Sequence, residues 1–250
     1  MTRGPRHLLE MIDGHVRRSP DRIAFTFLGK PGCTWGQFNQ GVEQVAALLL
    51  DNRMPSKAKV IIAIPNSTQF FFAFYGAIRA GGIAVPVSPA AGKERIEKLA
   101  GLCGASFLLT LKKGSSGPAG ERCGEQGQKS LNVHLKHLAG EKKSNSTRVT
   151  SFPEIDPGDT AFIQFTSGST GDPKGVRITH KGLMVNIGQM IEGMRITRKD
   201  IFVSWLPVFH DMGLILMTMV PMFLEKPFYL LPVGIKYLKE WLWIISEKKA

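Results

Sequence analysis

Cysteine, acidic side chains and long apolar runs are all scarce in this sequence, and each scarcity excludes something. Only Cys33, Cys103 and Cys123 occur among 250 residues. An odd, widely spaced set of this kind argues against a disulfide framework and fits a reducing cytosol. The longest uncharged apolar run, residues 212–224, contains Pro221 and falls short of the roughly 18 residues a membrane-spanning helix needs. It reads as a buried core helix, and no transmembrane segment is expected. The first ten residues carry charges but no apolar stretch followed by a cleavage site, so no signal peptide is expected and the expected location is cytoplasmic. Asp and Glu total 20 against 32 Lys and Arg, giving a formal net charge of +12. The excess is scattered, apart from one loop-like stretch. No aromatic–basic interleaving or groove-reading motif accompanies it, so it reads as a solvated basic face and nucleic acid is not an expected partner.

The hydrophobic share is 43% and mean hydropathy is close to zero, which fits a globular chain with a sizeable core. No internal repeat is visible. Leu8, Ile12 and Val16 share a helical face. Thr34 and Gln37 form a capping-box pattern ahead of Val42, Val45, Ala46 and Leu49. Short apolar strands are expected at 59–65, 83–87 and 107–111. An aromatic helix at 68–80, stopped by Gly81 and Gly82, and a helix marked by Ile96 and Leu99 separate them. Short apolar strands alternating with helices indicate an α/β fold with mainly parallel sheets flanked by helices. The stretch 112–151 is rich in Gly, Ser, Lys and Glu, with a short helical island near 131–138. It reads as a basic excursion or linker between a first lobe, 1–111, and a second, 152–250.

Regular structure returns with a strand at 161–165, then Thr166-Ser167-Gly168-Ser169-Thr170-Gly171-Asp172-Pro173-Lys174-Gly175, then a strand at 176–178. Three glycines, Gly168, Gly171 and Gly175, let backbone N–H groups approach a polyanion. Four hydroxyls add donors that can reorient, and Lys174 supplies a point charge suited to a terminal phosphate. A Walker loop needs Gly before the Lys and Ser or Thr after it, and Pro173 and Gly175 occupy those places. The Gly-x-Gly-x-x-Gly spacing of dinucleotide folds is also absent.

This segment resembles, at every position, the signature loop of the adenylate-forming (AMP-dependent synthetase/ligase) superfamily, which includes acyl-CoA synthetases and fatty acyl-AMP ligases. The resemblance extends to Ser19-Pro20-Asp21-Arg22-Ile23-Ala24, to 60–84 with its Ala80-Gly81-Gly82 turn, and to Val85-Pro86-Val87. It covers the chain except 112–150. One departure is Ser56-Lys57, where many members carry Gly-Asp in a structural turn. The resemblance implies that Thr166, Ser167, Gly168, Ser169, Thr170, Gly171 and Lys174 bind the β- and γ-phosphates of ATP.

A second stretch, Ser204-Trp205-Leu206-Pro207-Val208-Phe209-His210-Asp211-Met212-Gly213, follows a strand expected at 201–203. A histidine beside an apolar helix is most often structural. With the phosphate loop upstream, this stretch resembles the family's aromatic-His signature, in wording closest to fatty acyl-AMP ligases. The resemblance implies that Trp205, Phe209, His210, Asp211, Met212 and Gly213 meet the acyl substrate, with His210 and Lys174 catalytic. It further implies ATP and Mg²⁺ as cofactors, a fatty or other carboxylic acid as substrate, and coenzyme A or an acyl carrier protein as acceptor. His134 and His137 have one-turn spacing without companion ligands, so no metal site is expected there. Thr179 reads as the N-cap of a helix beginning at His180, with Leu183, Ile187, Ile191 and Met194 as its core face. Trp241, Leu242, Ile244 and Ile245 suggest a final amphipathic helix. The family's ribose-binding motif and catalytic-lysine domain do not occur in these residues. The fold expected is therefore an incomplete N-terminal domain of an AMP-forming acid ligase. The alternative is a truncated, non-catalytic module that binds a nucleotide or a partner.

Overall fold

A computed structural model of the chain describes residues 4–28, 30–111, 133–137, 151–166, 173–234 and 238–248. The first third runs α1 (Leu8–Arg18), β1 (Ile23–Phe27), β2 (Cys33–Thr34), α2 (Trp35–Asp51), β3 (Lys59–Ile62), α3 (Thr68–Arg79) and β4 (Ile83–Pro86). Then come α4 (Lys93–Cys103), β5 (Ala105–Leu111), β6 (Val133–His137), β7 (Thr160–Thr166), β8 (Lys174–Thr179) and α5 (His180–Gly193). The chain continues through β9 (Phe202–Ser204), a π-helix (Met212–Met219), α6 (Val220–Phe223), β10 (Phe228–Leu230) and α7 (Leu238–Lys248).

Local chemistry sets several of these starts. At α2 the capping box forms as read: Gln37 N donates to Thr34 Oγ1 at 3.2 Å and Thr34 N donates to Gln37 Oε1 at 3.0 Å. Two of the helix's orphan amide donors are thereby satisfied. Thr179 caps α5 by accepting from Gly182 N at 3.1 Å, and Ser67 caps α3 by accepting from Phe70 N at 3.3 Å.

Two mainly parallel sheets result, one in the order β2-β1-β10-β9 and one in the order β6-β5-β3-β4-β7-β8. Antiparallel pairing is confined to the edges: β2 on β1, β6 on β5 and β8 on β7. Each sheet takes strands from both sides of 112–151, so cutting the chain there does not separate the sheets.

The aromatic helix α3 lies between the two sheets, and every one of its residues is buried. Phe71 meets Phe25 and Phe228 of the first sheet at ring-centroid distances of 5.0 and 5.9 Å. Phe74 meets Phe162 of the second at 5.5 Å. Helix α2 presses against α3 so closely that a Cβ at Gly76 would lie 2.6 Å from Val45 Cβ. Strand alternation carries the layering outward. Phe162 faces the inner core, whereas Ile163 and Phe165 face a second cluster with Leu99 and Ala100 of α4. Val203, Leu231 and Ile244 form a third cluster, under α7.

Three local readings need correction. Residues 133–137 form an edge strand, not part of a helical island. Leu131, Val133 and Leu135 alternate with polar residues, which is the period of a strand. His134 and His137 therefore stand on β6. The run 212–224 is not one α-helix. Its first eight residues are π-helical, with Val220 N donating back to Ile215 O. Thr218 Oγ1 donates to the Leu214 carbonyl, and Pro221 has no N–H to give the preceding turn, so the regular α ladder is interrupted here. Met194 ends α5 at the surface, 59% exposed, although Leu183 and Ile187 are buried as expected.

Buried histidines give the fold an acid limit. His180 is 2% exposed, and its Nδ1 has no partner among the described residues. Burial pushes its pKa down from 6.5 to about 4. Burial also lowers His15, outweighing the nearby Glu225 carboxylate. The His15 tautomer is set by its partners: Nε2 donates to Met222 O at 2.9 Å while Nδ1 accepts from Arg18 at 2.8 Å. A base whose folded pKa is depressed binds more protons when unfolded. Its stabilising contribution is whole above pH 6.5 and is lost as pH falls towards 4. His180 alone should remove roughly 2–3 kcal/mol across that window. Denaturant unfolding at stepped pH should show this loss, and His180→Asn should flatten the profile. An equally steep profile in the variant would assign the loss to other groups.

Candidate active site

In parallel sheets the chain leaves each strand at the same edge, and ligands meet it there. Both signature stretches leave such an edge, from different sheets. Strand β7 runs parallel to β4 and ends at Thr166. Strand β9 runs parallel to β10 and ends at Ser204, where Trp205 begins the second stretch.

The phosphate-loop stretch is the connection of the β7–β8 hairpin. Thr166 pairs with Lys174, Phe165 with Gly175 and Gln164 with Val176. Thr166 Oγ1 and the Lys174 carbonyl stand 3.5 Å apart across the mouth. The side chains of Thr166 and Lys174 are exposed. Ser167, Gly168, Ser169, Thr170, Gly171 and Asp172 lie outside the described residues.

The second stretch turns tightly. His210 N donates to Pro207 O at 3.1 Å and Leu214 N donates to His210 O at 2.8 Å. Asp211 Oδ1 accepts from Met212 N at 2.8 Å. Gly213 is needed for this turn, since a Cβ there would lie 2.2 Å from Pro207 O. Phe209 and His210 rings lie 4.9 Å apart. His210, Asp211 and Met212 are exposed and Phe209 is half-buried. Trp205 is placed apart from them, stacked on Trp241 at 5.7 Å in the cluster under α7.

Two side chains that sequence reasoning missed hold this stretch. Gln164 Nε2 donates to Phe209 O at 3.1 Å. Asn66 Oδ1 accepts from Val208 N at 3.0 Å, while its Nδ2 donates to Leu206 O at 2.8 Å and Leu231 O at 3.3 Å. Both are buried, at 7% and 5% exposure. The signal was present in principle. A glutamine inside Ala161-Phe162-Ile163-Gln164-Phe165 must find a partner once buried.

The arrangement suits a polyanion better than a metal cage. An exposed ammonium and hydroxyl stand at the hairpin mouth, and among the described residues no group of three or more His, Cys, Asp or Glu could hold an ion.

A family model described as AMP-binding enzyme matches residues 12–249. A long-chain-fatty-acid–AMP ligase of Mycolicibacterium smegmatis is 30% identical over 265 residues, covering 96% of this chain and 40% of the relative. A medium-chain-fatty-acid–[acyl-carrier-protein] ligase of Teredinibacter turnerae is 28% identical, covering 94% of this chain and 44% of the relative. Among solved structures, the fatty acid AMP ligase from Legionella pneumophila superposes with a TM-score of 0.79 at 25% identity, covering 98% of this chain and 43% of that one. The chain thus spans less than half the length of these relatives.

Proposed function

The chain belongs to the AMP-binding enzyme family, and from that premise we propose that it contributes the phosphate-binding and carboxylate-side parts of a site that converts a fatty acid and ATP to acyl-AMP. One observation carries the reading. The strand that ends in the phosphate loop is hydrogen-bonded, through Gln164, to the backbone that presents His210.

In this reaction a carboxylate oxygen attacks the α-phosphorus, the bond to the β-phosphate oxygen breaks, and pyrophosphate leaves with that electron pair. There is little covalent work for the protein, so rate comes from alignment and from stabilising charge on the phosphates. Lys174, Thr166 and the loop hydroxyls hold the departing pyrophosphate. His210, beside Phe209, orders the approaching carboxylate. Mg²⁺ bound to the triphosphate would neutralise part of its charge. Coenzyme A and an acyl carrier protein remain the two candidate acceptors, and the relative from Teredinibacter turnerae, named for a carrier-protein reaction, favours testing the carrier first.

The test is fatty-acid-dependent exchange of labelled pyrophosphate into ATP by the full-length enzyme that carries these residues, run over acids of increasing length. Exchange that needs the acid supports the proposal. Nucleotide binding without exchange at any chain length would overturn catalysis and leave the non-catalytic binding module.

A further inference from the structure

We propose that Gln164 is a positioning residue that transmits phosphate occupancy of the Thr166–Lys174 hairpin mouth to the carboxylate side, a claim that rests on the acid-activation reading above. Gln164 lies two residues before Thr166 on β7, so the two side chains share one face of the strand. That face looks into the inner core, since Phe162, two residues earlier, meets Phe74 of α3. At the end of this row the Gln164 amide reaches Phe209 O at 3.1 Å. Phe209 immediately precedes His210. A shift of β7 at the root of the loop is therefore carried by one short bond to the backbone of the aromatic-His stretch.

Asn66 supplies the fixed end. Its amide holds Leu206 O, Val208 N and Leu231 O, tying the stretch to the chain just beyond β3 and β10. The stretch thus has one anchor in the body of the fold and one on the strand that carries the loop. Residue 206 to residue 208 is held by Asn66, and residue 209 by Gln164. Movement of β7 consequently pivots Phe209 and His210 about the Asn66 anchor. A buried amide has a clear alternative role, which is to fill its space and satisfy a carbonyl. The two roles differ in what happens when phosphate occupies the Thr166–Lys174 mouth.

Backbone hydrogen exchange separates them, with Mg·ATP as the probe. In the native protein, Mg·ATP should slow exchange both around the β7–β8 hairpin and at 208–214. In Gln164→Leu, which keeps the size but cannot donate, Mg·ATP should still protect the hairpin but no longer change 208–214. Without nucleotide, that variant should exchange about three- to tenfold faster at 209–211, the loss expected from one hydrogen bond. Gln164→Glu adds a readout that space-filling would not move. Its neutral acid can donate to Phe209 O and its carboxylate cannot, so coupling should return as pH is lowered from about 8 towards about 5. Equal protection of 208–214 in the native protein and in Gln164→Leu would overturn the inference while leaving the functional reading intact. If Mg·ATP alters neither region of the native protein, the functional reading falls, and the coupling falls with it. A Gln164→Leu protein that does not fold is decided by Gln164→Glu, where a response independent of pH overturns the claim.

Discussion

In a complete enzyme, Lys174→Ala should lower fatty-acid-dependent pyrophosphate exchange by about 100-fold or more, because a donor that meets charge developing on a leaving group is worth about 2.7–4 kcal/mol. The position supports a local effect. Lys174 opens β8 with its side chain exposed at the hairpin mouth, and its backbone pairing with Thr166 does not depend on the side chain. Removing it should change folding stability by no more than about 0.5 kcal/mol, as for other surface sites free of buried partners. Lys174→Arg should recover only part of the rate, since a planar fork does not replace a compact ammonium on a phosphate. In direct binding, Lys174→Ala should weaken Mg·pyrophosphate while leaving the unfolding midpoint in place. Unchanged exchange in the variant would remove Lys174 from the phosphate site.

The expected result for Lys174 was legible in the sequence because the loop's chemistry is written in consecutive residues. The same holds wherever structure is local. Thr34 and Gln37 are three positions apart, and their reciprocal bonds form as read. The helix expected at 68–80 runs Thr68–Arg79 and stops before Gly81, whose φ is +77°. What could not be read was long-range. Nothing near Ile23–Phe27 announces that β1 will pair with β10, some two hundred residues later. The burial of α3 between two sheets follows from that pairing. A mostly apolar helix reads as one buried on all sides, but its sequence does not say which elements cover it. The island expected near 131–138 differs for another reason: eight residues hold barely two helical turns, too few to separate the helical period from the strand period that 133–137 adopts. Gln164 and Asn66 escaped notice because each acts on backbone atoms far along the chain, and a carbonyl leaves no mark in a sequence.

Gly213→Ala should be the most damaging single methyl in the site. A Cβ at that position would lie 2.2 Å from Pro207 O, 2.8 Å from Pro207 C and 3.2 Å from Leu206 C. All three are backbone atoms, so no side chain can swing aside. The backbone itself is pinned. Pro207 O accepts from His210 N, Leu206 O from Asn66, and Phe209 O from Gln164. Relief must come from breaking one of these bonds or from displacing the start of the π-helix. Either route costs about 1–3 kcal/mol, as overpacking does elsewhere, with a fall in melting temperature of up to roughly 10 °C. The strain falls between His210 and the buried Leu214, so the carboxylate side should suffer first. Exchange should drop by about three- to tenfold if one such bond is lost, while Mg·ATP binding at the β7–β8 hairpin persists. Gly188→Ala sets the baseline, since nothing lies within 4 Å of its added Cβ inside α5. It should stabilise by up to about 1 kcal/mol through helix propensity alone. If Gly213→Ala matched Gly188→Ala in stability and left exchange intact, the close approach to Pro207 would not constrain the site. The turn around His210 would then be adaptable rather than held.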